Sequence, residues 1–350
     1  MNDSNKRATI SDVARLSGVS ITTVSRVIND NYPVSVKAKK KVNTAIEELG
    51  FRPNLLARSL IQDKTQTIGV LTPSIENLFF SEVIKGIDNY VKDKDYRSFL
   101  CNTEGEPDQE KAMIDSLLNR SVDGIVVIDP RTKNIKSGYY EGISKRLPLV
   151  LINGYNEGIM CNFVLNDDIT GTLEALRSLK LRGRKRVALL RGFSSHSYDL
   201  KEKVFRDFYK EEELDFNEDL ILEIPAGNSL ETVNQAKEIV LNHLKNAKDK
   251  CDAILCCNDF MAVGALNAAR SLNILVPEDM AIIGFDNTLV SQITEPALST
   301  VDHHMSELGN TAAKRMVELI NEGSHKNKEK DHNETIKKIS VTTNLIIRDT

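Results

Sequence analysis

Ile10-Ser11-Asp12-Val13-Ala14-Arg15-Leu16-Ser17-Gly18-Val19-Ser20, continued by Thr23-Val24-Ser25-Arg26-Val27-Ile28-Asn29, reads as two short helices around a tight turn. Thr9 is placed to cap the first helix, with Asp12 at the capping-box position, and Gly18 supplies its stop. Ile10, Val13, Ala14 and Leu16 form the expected apolar side. Ser20 caps the second helix, whose inner positions are Val24, Val27 and Ile28. The link Ser17-Gly18-Val19-Ser20 is too short for anything but a bent helix pair. Further on, Ser35 caps a third helix with Val42, Ala45, Ile46 and Leu49 at helical spacing, and Gly50 ends it. So small a core is stable only when it is helical and closely packed.

Pro53 opens a short segment, Leu55-Leu56-Ala57-Arg58-Ser59-Leu60, followed by polar Gln62-Asp63-Lys64-Thr65-Gln66. Two helical turns do not persist alone in water, so this piece folds only against a partner. From Thr67 short apolar strands alternate with amphipathic helices, beginning with Ile68–Leu71, Phe80–Asp93 and Arg97–Asn102 and recurring as far as Ala281–Phe285. That alternation predicts an α/β fold with parallel sheets and right-handed crossovers. The elements exceed one sheet, which predicts two doubly wound lobes behind an all-α headpiece. The expected division is 1–52 for the headpiece, 53–65 for a hinge helix and linker, and 66–350 for the core. Within the core the first lobe is expected over about 66–162 and 292–322, the second over about 163–291 and 335–350. Ligands of such sheets sit beyond the carboxyl ends of the strands, here facing the cleft between lobes.

The 350 residues carry a net charge of -4, which taken alone speaks against a nucleic-acid partner. The average hides an asymmetry: residues 1–64 hold eleven Lys/Arg against six Asp/Glu, and the remainder holds 35 against 44. DNA responds to the local field, within about 10 Å at 0.1 M salt, rather than to the chain total. Five cysteines without a C-x-x-C pair suit buried, reduced thiols and a cytoplasmic setting. His303-His304 have no Cys or carboxylate cluster at ligand spacing, so no metal is expected. No signal peptide or membrane span is read, no phosphate-binding glycine loop or nucleophile elbow occurs, and neither enzyme activity nor a cofactor is expected.

The headpiece stretch, together with Glu48-Leu49-Gly50-Phe51-Arg52-Pro53-Asn54 and Ala57-Arg58-Ser59-Leu60, resembles the lactose/galactose-repressor (LacI/GalR-type) family. The resemblance continues through Ile68-Gly69-Val70, Val122-Asp123-Gly124-Ile125, Asn258-Asp259, Val276-Pro277-Glu278-Asp279 and Gly284-Phe285-Asp286-Asn287. It implies a helix-turn-helix headpiece on a periplasmic-binding-protein-like sensor, working as a homodimer on a double-stranded DNA operator. A recognition helix enters the major groove and reads base edges. Arg26 suits a bidentate guanine contact, Ile21 a thymine methyl, and Thr22 a methyl or hydroxyl. Thr9, Ser20, Thr23, Ser25 and Asn29 suit positioning contacts to the phosphate backbone. By resemblance Leu60 wedges a minor-groove base step, flanked by Asn54, Ala57 and Arg58.

For the sensor the resemblance implies effector contacts at Ser74, Asn77, Phe79, Phe80, Asn166, Lys201, Asn258 and Asp286. The aromatic pair can stack on an apolar ligand face, and the polar side chains can orient hydroxyls. Two positions depart from the family pattern: Lys201 stands where an arginine is usual, and Asn166 where an aspartate is. A lysine lacks the arginine fork, yet a cation there suits an acidic sugar, such as a uronate, or a phosphorylated one. The expected function is that of a repressor of carbohydrate-use genes released by a small sugar or sugar acid. The alternatives are control by a phosphorylated carrier protein, or a solute-binding protein.

Overall fold

The computed structural model describes residues 8–29, 32–51, 64–155, 157–193, 195–225, 227, 229–247, 250–324 and 336–350. The chain divides into two compact units, Met1–Thr65 and Gln66–Thr350.

In the first unit α1 (Ile10–Ser17) starts at a full capping box. The Thr9 side chain accepts from the Asp12 amide while Asp12 accepts from the Thr9 amide at 2.9 Å. Gly18 ends the helix at φ +67°, a conformation glycine adopts without strain. α2 (Ile21–Asn29) is capped by Ser20, whose hydroxyl accepts from the Thr23 amide at 3.2 Å. α3 (Val36–Leu49) begins at Ser35 and stops at left-handed Gly50. Val13, Ala14, Val24, Val27, Val42 and Ala45 make the core. Leu16, expected on the apolar side, is instead 49% exposed. The inward stripe runs 10, 13, 14, 17 at helical period, so Ser17 takes the buried place and donates its hydroxyl to the Val13 carbonyl at 2.6 Å.

The second unit holds two six-stranded sheets. In the first lobe β1 (Thr67–Thr72), α4 (Leu78–Lys92), β2 (Arg97–Asn102), α5 (Pro107–Asn119), β3 (Gly124–Ile128), α6 (Thr132–Lys136), α7 (Tyr139–Ser144), β4 (Leu149–Ile152) and β5 (Asn162–Asn166) follow in order. The second lobe continues with α8 (Asp168–Leu181), β6 (Val187–Gly192), α9 (His196–Glu211), β7 (Ile221–Ile224), α10 (Glu231–Asn246), β8 (Ala253–Cys256), α11 (Asp259–Ser271), β9 (Ala281–Asp286), α12 (Leu289–Ile293) and β10 (Ser299–Asp302). The chain closes with α13 (Met305–Ser324), β11 (Lys338–Val341) and β12 (Asn344–Ile346). Strand order is β11-β5-β4-β3-β1-β2 in one sheet and β12-β10-β9-β8-β6-β7 in the other. All pairs are parallel except β10 with β12. The central strands are mainly apolar and, apart from Thr67 at the start of β1, buried, as sheets covered on both faces require.

The lobe boundaries differ from the sequence expectation in three places. Residues 163–166 stay in the first lobe, because β5 pairs with β4 and β11. Residues 292–302 stay in the second, because β10 pairs with β9. Within the last stretch, β11 returns to the first sheet before β12 joins the second. Hydrophobic pattern reports that a strand is buried, and only pairing decides in which sheet. α13 belongs to the first lobe because it lies on α4 with almost no space between. A Cβ on Gly309 would stand 2.0 Å from the Val83 carbonyl oxygen, and one on Gly86 2.1 Å from that of Ser306.

Three crossings therefore join the lobes, after β5, after β10 and after β11. They are tied to one another: the Asn166 side-chain amide donates to the His303 carbonyl at 2.8 Å, and the Thr343 hydroxyl to the Asp167 carbonyl at 3.0 Å.

Candidate functional site

A cavity lies where the carboxyl ends of both sheets face each other. The first lobe contributes Asn77, Phe79 and Phe80 after β1, Asp129 after β3 and Asn153 after β4. The second contributes Ser195, Ser197, Tyr198 and Lys201 around the start of α9, Cys257 and Asn258 after β8, and Asp286 ending β9; His303 enters from the second crossing. Asp129, Asn153 and Asp286 hold φ values of +49°, +61° and +103°, where few residues other than Asn, Asp and Gly settle. The strained ends of the strands thus aim their side chains at the cavity.

The rings of Phe79 and Phe80 stand edge to face at 5.5 Å, and Phe79 meets the His303 ring at 5.8 Å. Opposite them is a buried charge network. Lys201, 1% exposed, places Nζ 2.8 Å from Asp168 Oδ1. His303 puts Nε2 3.0 Å from Asp168 and Nδ1 3.0 Å from Asp286. Burial opposes charge on Lys201 and on His303, yet the facing carboxylates outweigh it and raise both above their ordinary values. Burial likewise opposes charge on Asp168, which Lys201 and His303 nevertheless hold well below the carboxylate range. Behind this set Asp259 accepts from the Thr288 amide and hydroxyl, each at 2.8 Å, and from the Thr300 hydroxyl at 2.7 Å. Burial and then the charge of Asp286 push its carboxyl up to about 7.

Of the effector residues expected from sequence, Asn77, Phe79, Phe80, Lys201, Asn258 and Asp286 line this one cavity. Ser74 does not; its hydroxyl accepts from the Glu76 amide at 3.1 Å within the β1–α4 turn. Asn166 does not either. It is spent on the crossings, accepting at Oδ1 from the Asn153 side chain at 3.2 Å and donating to His303. Asp129, Asn153, Asp168, Tyr198 and His303 were missed. Asp129 and Asn153 carried a signal, since each follows directly on a β-strand that feeds the cleft. His303 carried none, because its carboxylate partners lie 135 and 17 residues away. Among the described residues no group of His, Cys, Asp and Glu is arranged to hold a metal, and no helix is long and apolar enough to cross a membrane.

In the headpiece Ile21, Thr22 and Arg26 are exposed along α2, Ile21 to 50%. The Arg26 guanidinium lies over the Tyr32 ring at 4.9 Å, a contact that leaves the side chain at the surface. Ser20 and Thr23 share a hydroxyl contact at 2.9 Å. Ser25 is half-buried and Thr9 exposed, while Asn29 ends α2. Asn54, Ala57, Arg58 and Leu60 lie outside the described residues.

A helix-turn-helix unit with an exposed second helix, carried on a two-lobed α/β core with a cleft at its strand ends, defines a DNA-binding transcriptional regulator with its own receptor. Residues 9–54 match the family described as bacterial regulatory proteins, lacI family, and residues 176–350 the periplasmic binding protein-like domain. The HTH-type transcriptional repressor PurR of Vibrio cholerae serotype O1 is 35% identical over 322 residues, which cover 91% of this chain and 93% of its own. The HTH-type transcriptional regulator RegA of Clostridium saccharobutylicum is 32% identical over 314 residues, covering 89% and 92%. A lac repressor dimer bound to operator and the anti-inducer ONPF has the same fold, with a TM-score of 0.85 over 99% of both chains at 23% identity. The chain belongs to the lacI family of bacterial regulatory proteins.

Proposed function

We propose that the chain is a homodimeric repressor that acts on nucleoid DNA in the cytoplasm and leaves a pseudo-palindromic operator when a small, hydroxyl-rich effector fills the cleft. The observation that carries this reading is the double position of His303. Its ring is a wall of the cleft and its backbone belongs to the second crossing, hydrogen-bonded to Asn166 of the first. A ligand that moves the ring therefore acts on the connection between the lobes.

On the DNA side, two-fold symmetry gives each headpiece one half-site. Arg26, Ile21 and Thr22 read bases, Thr9, Ser20, Thr23, Ser25 and Asn29 hold phosphates, and Leu60 with Asn54, Ala57 and Arg58 enters the minor groove. Lobe rearrangement alters the separation of the two hinge segments. To carry the population from 1:99 to 99:1 the effector needs about 5.5 kcal/mol of differential affinity for the released state. The names of relatives such as the PurR repressor support the direction of control.

The test is a gel shift on a symmetric operator, with and without sugars taken from the genes that flank this one. Release by a small sugar upholds the reading. A response to a phosphorylated carrier protein, with none to sugars, would replace it.

A further inference from the structure

Two arginines of the headpiece are held in different ways. Arg15, on α1, gives its guanidinium to the Asp12 carboxylate at 2.6 Å. Arg26, on the exposed face of α2, meets an aromatic ring instead, its guanidinium carbon 4.9 Å from the centre of Tyr32. A carboxylate occupies the N–H donors of an arginine. A ring face attracts the cation through its quadrupole and offers no hydrogen-bond acceptor of that kind, so the donor fork stays open to a second partner.

The ring stands on a fixed piece of chain. Pro33 follows Tyr32 and restricts it to extended backbone. Val34 packs against the headpiece core, and the Ser35 hydroxyl caps α3 by accepting from the Ala38 amide at 3.3 Å. Tyr32 itself is 64% exposed, so the core does not depend on its side chain. Arginine has many rotamers to lose when it engages a base, whereas a tyrosine on an anchored backbone has few. An arginine already restrained by a ring loses less of that freedom on binding.

Resting on the reading that Arg26 contacts a base pair, we infer that Tyr32 is a positioning residue for base recognition. Its ring holds the Arg26 guanidinium on the outer face of α2, ready for the paired acceptors of a guanine edge. The consequence is local: without the ring, discrimination weakens at the base pair that Arg26 reads and at no other, and the phosphate contacts are unaffected.

The test uses the full-length protein, a preferred duplex selected from a random double-stranded pool, and the single-base variants of that duplex in competition gel shifts. Arg26→Ala should lower discrimination at one base pair of each half-site by about tenfold or more. Tyr32→Ala should lower it at the same pair by roughly threefold, with the salt dependence of binding unchanged. Tyr32→Phe, which keeps the ring, should restore it, and the double variant should be no worse than Arg26→Ala alone. Unaltered preference in Tyr32→Ala, or equal weakening at every base pair, would overturn the inference. So would a Tyr32→Phe variant as deficient as Tyr32→Ala, which would assign the effect to the hydroxyl, or additive losses in the double variant. If Arg26→Ala itself keeps every preference, the base-contact reading falls and this inference with it.

Discussion

His303 Nε2 lies 3.0 Å from Asp168 Oδ1, and this one contact spans two of the chain crossings between the lobes. Asp168 opens α8 directly after the first crossing, and His303 sits in the second. With Lys201 on the same carboxylate and Asp286 on the other ring nitrogen, the contact belongs to a four-residue network in which each charge has an opposite neighbour. Such a network stabilises only while complete, because a lone buried charge is costly.

His303→Ala is therefore expected to lower unfolding stability by about 3 kcal/mol or more, since Asp286 loses its partner and Asp168 one of two. Denaturant unfolding measures this. A loss under about 0.5 kcal/mol, the size of an ordinary surface change, would mean that the network carries no stability.

Stability should also depend on pH, with a definite sign. Asp259 is an acid whose folded value, about 7, lies above its unfolded one near 3.9. The native state thus holds this proton more tightly, and stability falls as pH rises between those values. His303 acts in the same direction: its raised folded value contributes stability below about 6.5 that is lost as pH climbs through the folded value. Asp168 runs the other way, its contribution disappearing as pH falls below about 4. Melting temperature against pH should accordingly decline from mildly acid toward alkaline conditions, and Asp259→Asn should flatten the part of the decline below pH 7. An unchanged profile in that variant would remove Asp259 as the titrating group.

The α4–α13 contact predicts a contrast between two glycines. Gly309→Ala drives a methyl to 2.0 Å from the Val83 carbonyl and should destabilise by about 1–3 kcal/mol. Gly142→Ala, inside α7 with open space around it, should be neutral or stabilise by up to about 1 kcal/mol. Thermal denaturation of both variants checks the pair, and equal effects would contradict the packing.

Arg26→Ala should leave the headpiece folded, because the side chain is exposed, while discrimination at one base pair of each half-site drops by about 1–3 kcal/mol. Competition gel shifts with single-base operator variants read this directly. Retained preference at every position would remove Arg26 from base reading.

In Asp286→Ala the ligand response should disappear, and operator binding without ligand should persist. A normal release curve would exclude Asp286 from the effector site.

Much of this molecule is legible in its sequence because the responsible interactions are local. Thr9 with Asp12, Ser20 with Thr23, and Gly18 and Gly50 at φ near +60° all act within one helical turn. The strand–helix alternation likewise follows from apolar runs and their period, and strand ends such as Asp286 and Asn258 point to the cleft by topology. The tertiary structure alone decided which sheet claims β5, β10 and β11, since pairing partners lie far apart along the chain. It also decided what Lys201 does. Read in sequence, Lys201 is a cation on offer to an acidic ligand; in the fold, Asp168, 33 residues earlier, stands 2.8 Å away and takes the charge. The residue type determines that a charge is present, and only its neighbours in space determine whether any of it remains for a ligand.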